Sequence, residues 1–271
     1  MKITVSGLWI GPSLSKIEQL SIKSFLNKGY DYHLYTYEKV ENIPDGVTIK
    51  DANEILPKSE VFAYKNSSFS AVSNIFRFQL LYKKTAIWVD LDIICTKFYD
   101  FNKDKYLFVS EPDKTYENDK LGSCILKIPK NDIICFDAIE KCKREKEKVL
   151  KGEIVWGIGP RAVKYIVEKY ALQKYVKPWR FSASCANKHF ESIINPEFNE
   201  KGEYFNKVED IPQENYFIHL WHEFLRKNEI DKNNLPENSF ISQLEKIISP
   251  IKESIPQSIQ ELIKEPEEQP G

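Results

Sequence analysis

Asp90-Leu91-Asp92 is the first place in the chain where residue type and spacing suggest chemistry. Two carboxylates at i and i+2 project to one side of a strand. An apolar sheet cannot bury both bare, because desolvating an unpaired charge costs too much. At the carboxyl end of a strand they would face the crevice where open α/β sheets bind ligands. There they could share a divalent cation through oxygen ligands. Arg77 precedes the pair, with Asn74 one helical turn earlier. Arg offers a planar fork to hydroxyls or phosphate, and Asn offers both a donor and an acceptor. Together these groups make a set suited to sugars and phosphates.

Those side chains need a helix and a strand to position them. Ala86–Ile94, AIWVDLDII, reads as a strand whose apolar first half belongs at the centre of a parallel sheet. Before it, Val72, Ile75, Phe76 and Leu80 give a helix over Ser68–Lys84 its apolar face, while Ser70, Ser73, Asn74 and Arg77 form a polar stripe. Such a helix, feeding directly into the strand, can bring Asn74 and Arg77 to the carboxylates.

The chain opens with a strand over Ile3–Ile10, closed by Gly11-Pro12. A helix follows over Leu14–Asn27, with Ser13 and Ser15 as caps, Ile17, Leu20, Ile22 and Phe25 as its apolar side, and Gly29 as its stop. Asp31–Tyr37 alternates as a second strand. This β-α-β opening predicts an α/β fold with a mostly parallel sheet and helices on its faces. Further along, Lys50–Tyr64 reads as short helix and loop, and Tyr106–Ser110 and Ser123–Ile128 as strands. Lys130–Leu150 reads as a helix with a charged, solvated face. Gly157–Pro160 reads as a turn before a helix over Arg161–Tyr170, and 180–216 as irregular with short strands. Tyr216–Leu220 is a last apolar run before His222–Lys227. One domain is expected over 1–248, with a loose or partly helical Pro-rich tail over 249–271.

Composition narrows the class. Lys and Arg total 39 against 40 Asp and Glu, so the basic surplus of a nucleic-acid binder is missing. At 42% hydrophobic and 29% charged, the chain is globular rather than disordered. Its five Cys contain no Cys-x-x-Cys, which excludes a zinc ribbon, argues against a disulfide scaffold and leaves reduced thiols in a cytosol as the simpler reading. The start, MKITVSGLWIGPS, lacks the features of a signal peptide, and no window approaches the roughly 18 uncharged apolar residues of a membrane helix.

The stretch FSAVSNIFRFQLLYKKTAIWVDLDIICT resembles the sugar-binding region, containing the Asp-x-Asp motif, of retaining GT-A glycosyltransferases. The group it is similar to is the bacterial capsule and lipopolysaccharide sugar transferases, related to yeast α-1,6-mannosyltransferase and mammalian α-1,4-galactosyltransferase. Large clostridial glucosylating toxins are more distant relatives. The resemblance covers about residues 3–245. Ser6-Gly7-Leu8-Trp9-Ile10-Gly11 resembles the family's first strand and nucleotide-facing loop, and Phe25–Tyr37 its second βα step. Gly159-Pro160 resembles a Gly-Pro turn in the substrate cleft. Ile218-His219-Leu220-Trp221, continuing to Arg226 and Asp231-Lys232, resembles the closing motif.

The resemblance implies a GT-A-type, Rossmann-like nucleotide-diphospho-sugar transferase. Trp9 would stack on or flank the uracil of a UDP-sugar, with Ile10 and Gly11 beside it. Asn74 and Arg77 would contact the donor sugar and its phosphate, and Gly159 and Pro160 would border the cleft. Asp90 would hold the ribose and a metal-bound water, and Asp92 would ligate Mn²⁺ or Mg²⁺. His219 is the best ligand from the C-terminal segment, with His222 the next candidate. The implied reaction moves a hexose from a UDP-sugar to a hydroxyl of a glycan or lipid-linked acceptor in cell-surface polysaccharide synthesis. It would be a bacterial cytoplasmic enzyme touching the inner membrane face. Two competing readings use the same residues. A haloacid-dehalogenase-type phosphatase wants Thr or Val two residues after the second Asp, where this chain has Ile94. A non-catalytic sugar-nucleotide or glycan-binding module would use the same crevice without turnover.

Overall fold

The computed structural model describes residues 2–64, 68–112, 119–154, 157–183, 185, 190–195 and 207–249. Strands β1 (Thr4–Trp9), β2 (Asp31–Thr36) and β3 (Val47–Asp51) open the chain, with helix α1 (Lys16–Asn27) between the first two. Helix α2 (Ser70–Lys83) then leads into β4 (Ile87–Val89). The main sheet has the order β3-β2-β1-β4 and is completed by β8 (Ile125–Leu126). Pairings among the first four strands are parallel, and β8 joins β4 antiparallel. The mostly parallel α/β sheet expected from the β-α-β opening is what the chain forms.

Helices cover both faces. Trp88 of β4 and Leu8 of β1 point into a core built with α2, α3 (Ile133–Lys151) and α4 (Ile158–Lys169). Ile87, Val89 and Val5 point the other way, against Ile22 and Phe25 of α1. With both sides covered, β4 is buried throughout, which is why its sequence is a continuous apolar run rather than an alternation.

The strand order decides where a ligand can sit. From β1 the chain moves outward through β2 and β3, then returns to the other side of β1 with β4. The carboxyl ends of β1 and β4 therefore flank a topological switch point, which opens a crevice beside Trp9 and Asp90.

Beyond β4 the expected strand over Ala86–Ile94 breaks. Asp90, Leu91 and Asp92 form a turn, closed by the Ile93 amide donating to the Asp90 carbonyl at 3.3 Å, and β5 (Ile93–Cys95) starts a different sheet. The carboxylates thus leave the sheet instead of projecting from one strand, a cheaper arrangement for two charges. β5 pairs antiparallel with β10 (Phe217–His219), setting His219 opposite Ile93. A third sheet joins β6 (Phe108–Pro112) to β7 (Asp119–Leu121) and β9 (Val176–Lys177).

Other expectations shift. β6 lies two residues later than read at its start, and 123–128 contributes only β8 as a strand. β3 was missed because it is an edge strand with little buried surface. Gly157–Pro160 is not a free turn. Gly157 caps α4 in the left-handed region (φ 85°), and Pro160 lies in the helix's first turn, where no backbone donor is needed. The short helices α5 (Glu191–Ile194) and α6 (His222–Lys227) follow. α7 (Phe240–Ile248) was also missed, although Ser239 caps it through a hydrogen bond to the Ser242 amide. It packs against α1 and α5 in a third core with Phe240, Ile241 and Leu244. The tail expected from 249 lies, beyond Ser249, outside the described residues. All five cysteines are buried, and none of them forms a disulfide with another. Among the described residues no helix is long and apolar enough to cross a membrane.

Candidate active site at the β1–β4 switch point

The crevice holds a cavity of about 420 Å³, within the range of small-molecule sites. Asp90 and Asp92 line it together with Trp9, Ile10, Asn74, Arg77, Pro160, His219 and His222. The tertiary structure therefore gathers residues from both ends of the chain.

Asp90 is fixed from behind. Its Oδ1 accepts from Trp88 Nε1 at 2.7 Å and pairs with Arg77 Nη2 at 3.1 Å. The Arg77 guanidinium is 3% exposed and lies 4.9 Å from the centroid of the Trp88 ring. It also donates to the Ser73 carbonyl (3.3 Å), to Ser73 Oγ (3.1 Å) and to the Ser123 carbonyl. Arg77 reaches the cavity wall, but most of its fork is engaged by protein, so its first role here is to orient Asp90. Burial, with Asp92 nearby, raises the Asp90 carboxyl pKa despite the opposing Arg77 charge.

Asp92 is held by the C-terminal segment. Its Oδ2 lies 3.2 Å from His219 Nε2 and accepts from the His222 amide at 3.0 Å. The Leu220 amide donates to its carbonyl at 2.9 Å, extending the β5–β10 ladder. Burial pushes the Asp92 carboxyl up, but the adjacent His219 and the His222 amide outweigh it and hold it well below the usual carboxylate range. His219 responds in the opposite sense: burial lowers its pKa, and Asp92 and Cys124 more than reverse this.

His219 and His222 face different ways, and the reason is Trp221. It adopts a left-handed backbone (φ 53°), costly for a bulky residue, and lays its ring 4.0 Å, centroid to centroid, from that of His219. The kink turns the His222 amide toward Asp92 and its ring away. His222 Nδ1 lies 3.3 Å from Glu18 Oε1, and Nε2 lies 2.9 Å from Lys232 Nζ. His222 thus brings its backbone amide to Asp92, while its ring nitrogens lie against Glu18 and Lys232. Burial and the Lys232 charge lower its pKa.

Trp9 lines the same cavity beside the C-terminal segment. Its ring stacks near that of His222 (6.5 Å, 20° between planes), and Lys232 Nζ lies 5.6 Å from its centroid. Its buried Nε1 has no hydrogen-bond partner among the described residues. Trp9 and Ile10 also line an adjoining cavity of about 420 Å³ with Tyr37, Val40 and Phe69. Gly11 belongs to that second cavity rather than the first. Its positive φ (152°) and closeness to Trp9 Nε1 favour glycine there.

Gly159 supports the site without lining it. A Cβ at this position would overlap Asn74 Oδ1 and come 2.9 Å from Ser123 Oγ. Glycine thus lets the start of α4 press against the polar stripe of α2. Asn74 is 5% exposed and donates to the Ser70 carbonyl at 2.7 Å.

Several site residues escaped the sequence. Glu18 is fully buried and pairs with Lys232 at 2.7 Å. The Ser15-x-x-Glu18 capping box was its available signal. Glu111 and Cys124 line the same cavity, and no local pattern marks either one. Burial raises the carboxyl pKa of Glu111 and pushes the Cys124 thiol up to about 11.

No protein-family model matches the chain, and no curated protein matches it significantly. Among solved structures it is similar to the PaToxG glycosyltransferase, at 16% identity and a TM-score of 0.41, over 64% of this chain and 75% of that one. It is also similar to the glycosyltransferase GlyE of Streptococcus pneumoniae TIGR4. One GlyE structure matches at 12% identity and TM-score 0.41, over 100% of this chain and 67% of that one. The apo form matches at 13% identity and TM-score 0.42, over 92% and 64%. Likenesses this distant leave the chemistry to be argued from the residues themselves.

Proposed function

We propose that this chain is a metal-dependent, retaining GT-A glycosyltransferase that moves a hexose from a UDP-sugar to a hydroxyl of a glycan or lipid-linked acceptor. The observation that carries this reading is the convergence of Asp90, Asp92 and His219 at the β1–β4 switch point, in the cavity that the Trp9 side chain also lines. Two carboxylates suit Mn²⁺ or Mg²⁺, and an imidazole beside them favours Mn²⁺ of the two. The 3.2 Å between Asp92 Oδ2 and His219 Nε2 is close to the roughly 3 Å that separates neighbouring ligands of such an ion. Asp92, His219 and the free edge of Asp90 would hold it.

When bound, the cation supplies positive charge to a departing nucleotide diphosphate. The rest falls to the chain's own groups. Arg77 and Trp88 keep Asp90 in one orientation, so little reorganisation is needed when charge develops. Trp9 offers its ring face to the uracil, and Lys232 beside it adds positive charge to the donor end of the cavity. Asn74 and Pro160 border the donor sugar. Trp221 Nε1, buried and without a hydrogen-bond partner among the described residues, is a spare donor near His219. Residues 1–248 are read as one catalytic domain. A cytoplasmic site of action, a surface-polysaccharide product and contact with the inner membrane face complete the proposal.

A panel of UDP-sugars assayed for UDP release with Mn²⁺, with and without a chelator, tests it. Release from at least one donor, abolished by the chelator, is expected. Donor binding without turnover would make the chain a sugar-nucleotide-binding module, and chelator-resistant turnover would remove the metal from the mechanism.

A further inference from the structure

We infer that Glu111, Cys124 and His219 form a second cation site, for a thiolate-preferring divalent ion of the Zn²⁺ class. Their ligand atoms lie within 4.8 Å of one another, with His219 Nδ1 3.8 Å from Glu111 Oε1. Sulfur, nitrogen and oxygen donors together select a softer ion than a carboxylate pair does. Three protein ligands facing a cavity leave a fourth position open, as in many zinc sites.

An independent observation points the same way. His219 is 9% exposed, and its buried Nδ1 has no hydrogen-bond partner among the described residues beyond a weak interaction of the ring with the Cys124 thiol. Leaving such an atom bare is costly, and a ligand there would satisfy it. The opposite nitrogen, Nε2, faces Asp92 Oδ2 at 3.2 Å. Metal-binding histidines commonly engage a carboxylate through the nitrogen that does not bind the metal, which fixes the tautomer. Asp92 is placed to do this for Nδ1. With Nε2–H held by Asp92, the ring gives Nδ1 to this ion and no longer gives Nε2 to the Asp90–Asp92 cation, so the two sites use His219 in alternative tautomers.

The neighbouring chain supports the set. The Asp90 amide donates to the Cys124 carbonyl at 2.8 Å, and Arg77 holds the Ser123 carbonyl. A side chain at Gly122 would collide with the Glu111 carboxylate, so glycine leaves room for it. Donors around a tetrahedral zinc ion sit roughly 3.4–3.8 Å apart, so the group has to close by about 1 Å. As the metal–sulfur bond forms, the thiol proton leaves to solvent.

Co²⁺ serves as the probe, added to the full chain without nucleotide and followed by absorbance, so the result does not depend on transferase activity. A thiolate-to-cobalt charge-transfer band that Zn²⁺ removes is expected. Cys124→Ser should abolish the band, and Glu111→Gln should keep it while weakening affinity by about tenfold or more. The absence of any band in the wild type overturns the site. So does a band that survives Cys124→Ser, since it would then arise from another cysteine, or an unchanged affinity in Glu111→Gln. If Cys124→Ser does not fold, the wild-type spectrum and Glu111→Gln still decide.

Discussion

Arg77 Nη2 lies 3.1 Å from Asp90 Oδ1, joining the middle of α2 to the first residue beyond β4. The guanidinium is almost fully buried, while Asp90 keeps an edge in the cavity. Removing one partner of such a pair leaves the other charge uncompensated. Arg77→Ala should therefore destabilise the chain by about 3 kcal/mol. Arg77→Lys should cost less, because it keeps the charge and loses only the fork. Urea midpoints of the two variants and the wild type check the order; equal midpoints would mean that Asp90 does not need this partner.

Asp92→Asn is nearly isosteric and keeps an oxygen for the His222 amide, which donates to Asp92 at 3.0 Å. The fold should persist while metal-dependent UDP release falls by on the order of 10²-fold or more. Circular dichroism beside the donor assay separates the two effects. Wild-type turnover in this variant would end the metal assignment.

Gly159→Ala places a methyl group where Asn74 Oδ1 now lies. Overpacking of this kind costs about 1–3 kcal/mol. Asn74 should move, so the donor KM should rise along with the loss in thermal stability. A variant that melts and binds like the wild type would show that α4 can back away freely.

Trp9→Leu keeps apolar bulk and removes the flat ring that lines both cavities. Stacking on a nucleobase is worth about 1–3 kcal/mol, so the donor KM should rise roughly tenfold or more. With stacking present in ground and transition states alike, kcat should change little. An unaltered KM would put the uracil elsewhere.

Glu145 joins α3 to α4 by pairing with Arg161 Nη2 at 2.8 Å, beside the start of α4. Burial pushes its carboxyl up, but Arg161 and Lys141 outweigh that and hold it below the ordinary value of 4.5. A depressed carboxylate contributes stability that is present above its unfolded value and lost as pH falls through the folded one. The wild type should thus exceed Glu145→Gln by no more than about 1 kcal/mol at pH 7, because Arg161 is substantially solvated. The gap should narrow as pH drops below 4.5. Melting curves across that range check the sign, and a gap that widens on acidification would refute it.

What the sequence determined by itself was local. The apolar periodicity of α2 and its polar stripe, the buried run of β4 and the opening β-α-β step follow from short-range patterns, and with them the meeting of Arg77, Asn74 and Asp90. Only the tertiary structure set the His219 ring beside Asp92 and the His222 ring beside Glu18 and Lys232, because this depends on the pairing of β10 with β5 and on the left-handed turn at Trp221. The same holds for Glu111 and Cys124, which reach the cavity from β6 and the approach to β8, and for Lys232 bridging Glu18 and His222. Each of these meetings joins segments far apart in the chain. Their energy comes from burial and charge pairing across the fold, and spacing along a single segment carries no trace of it.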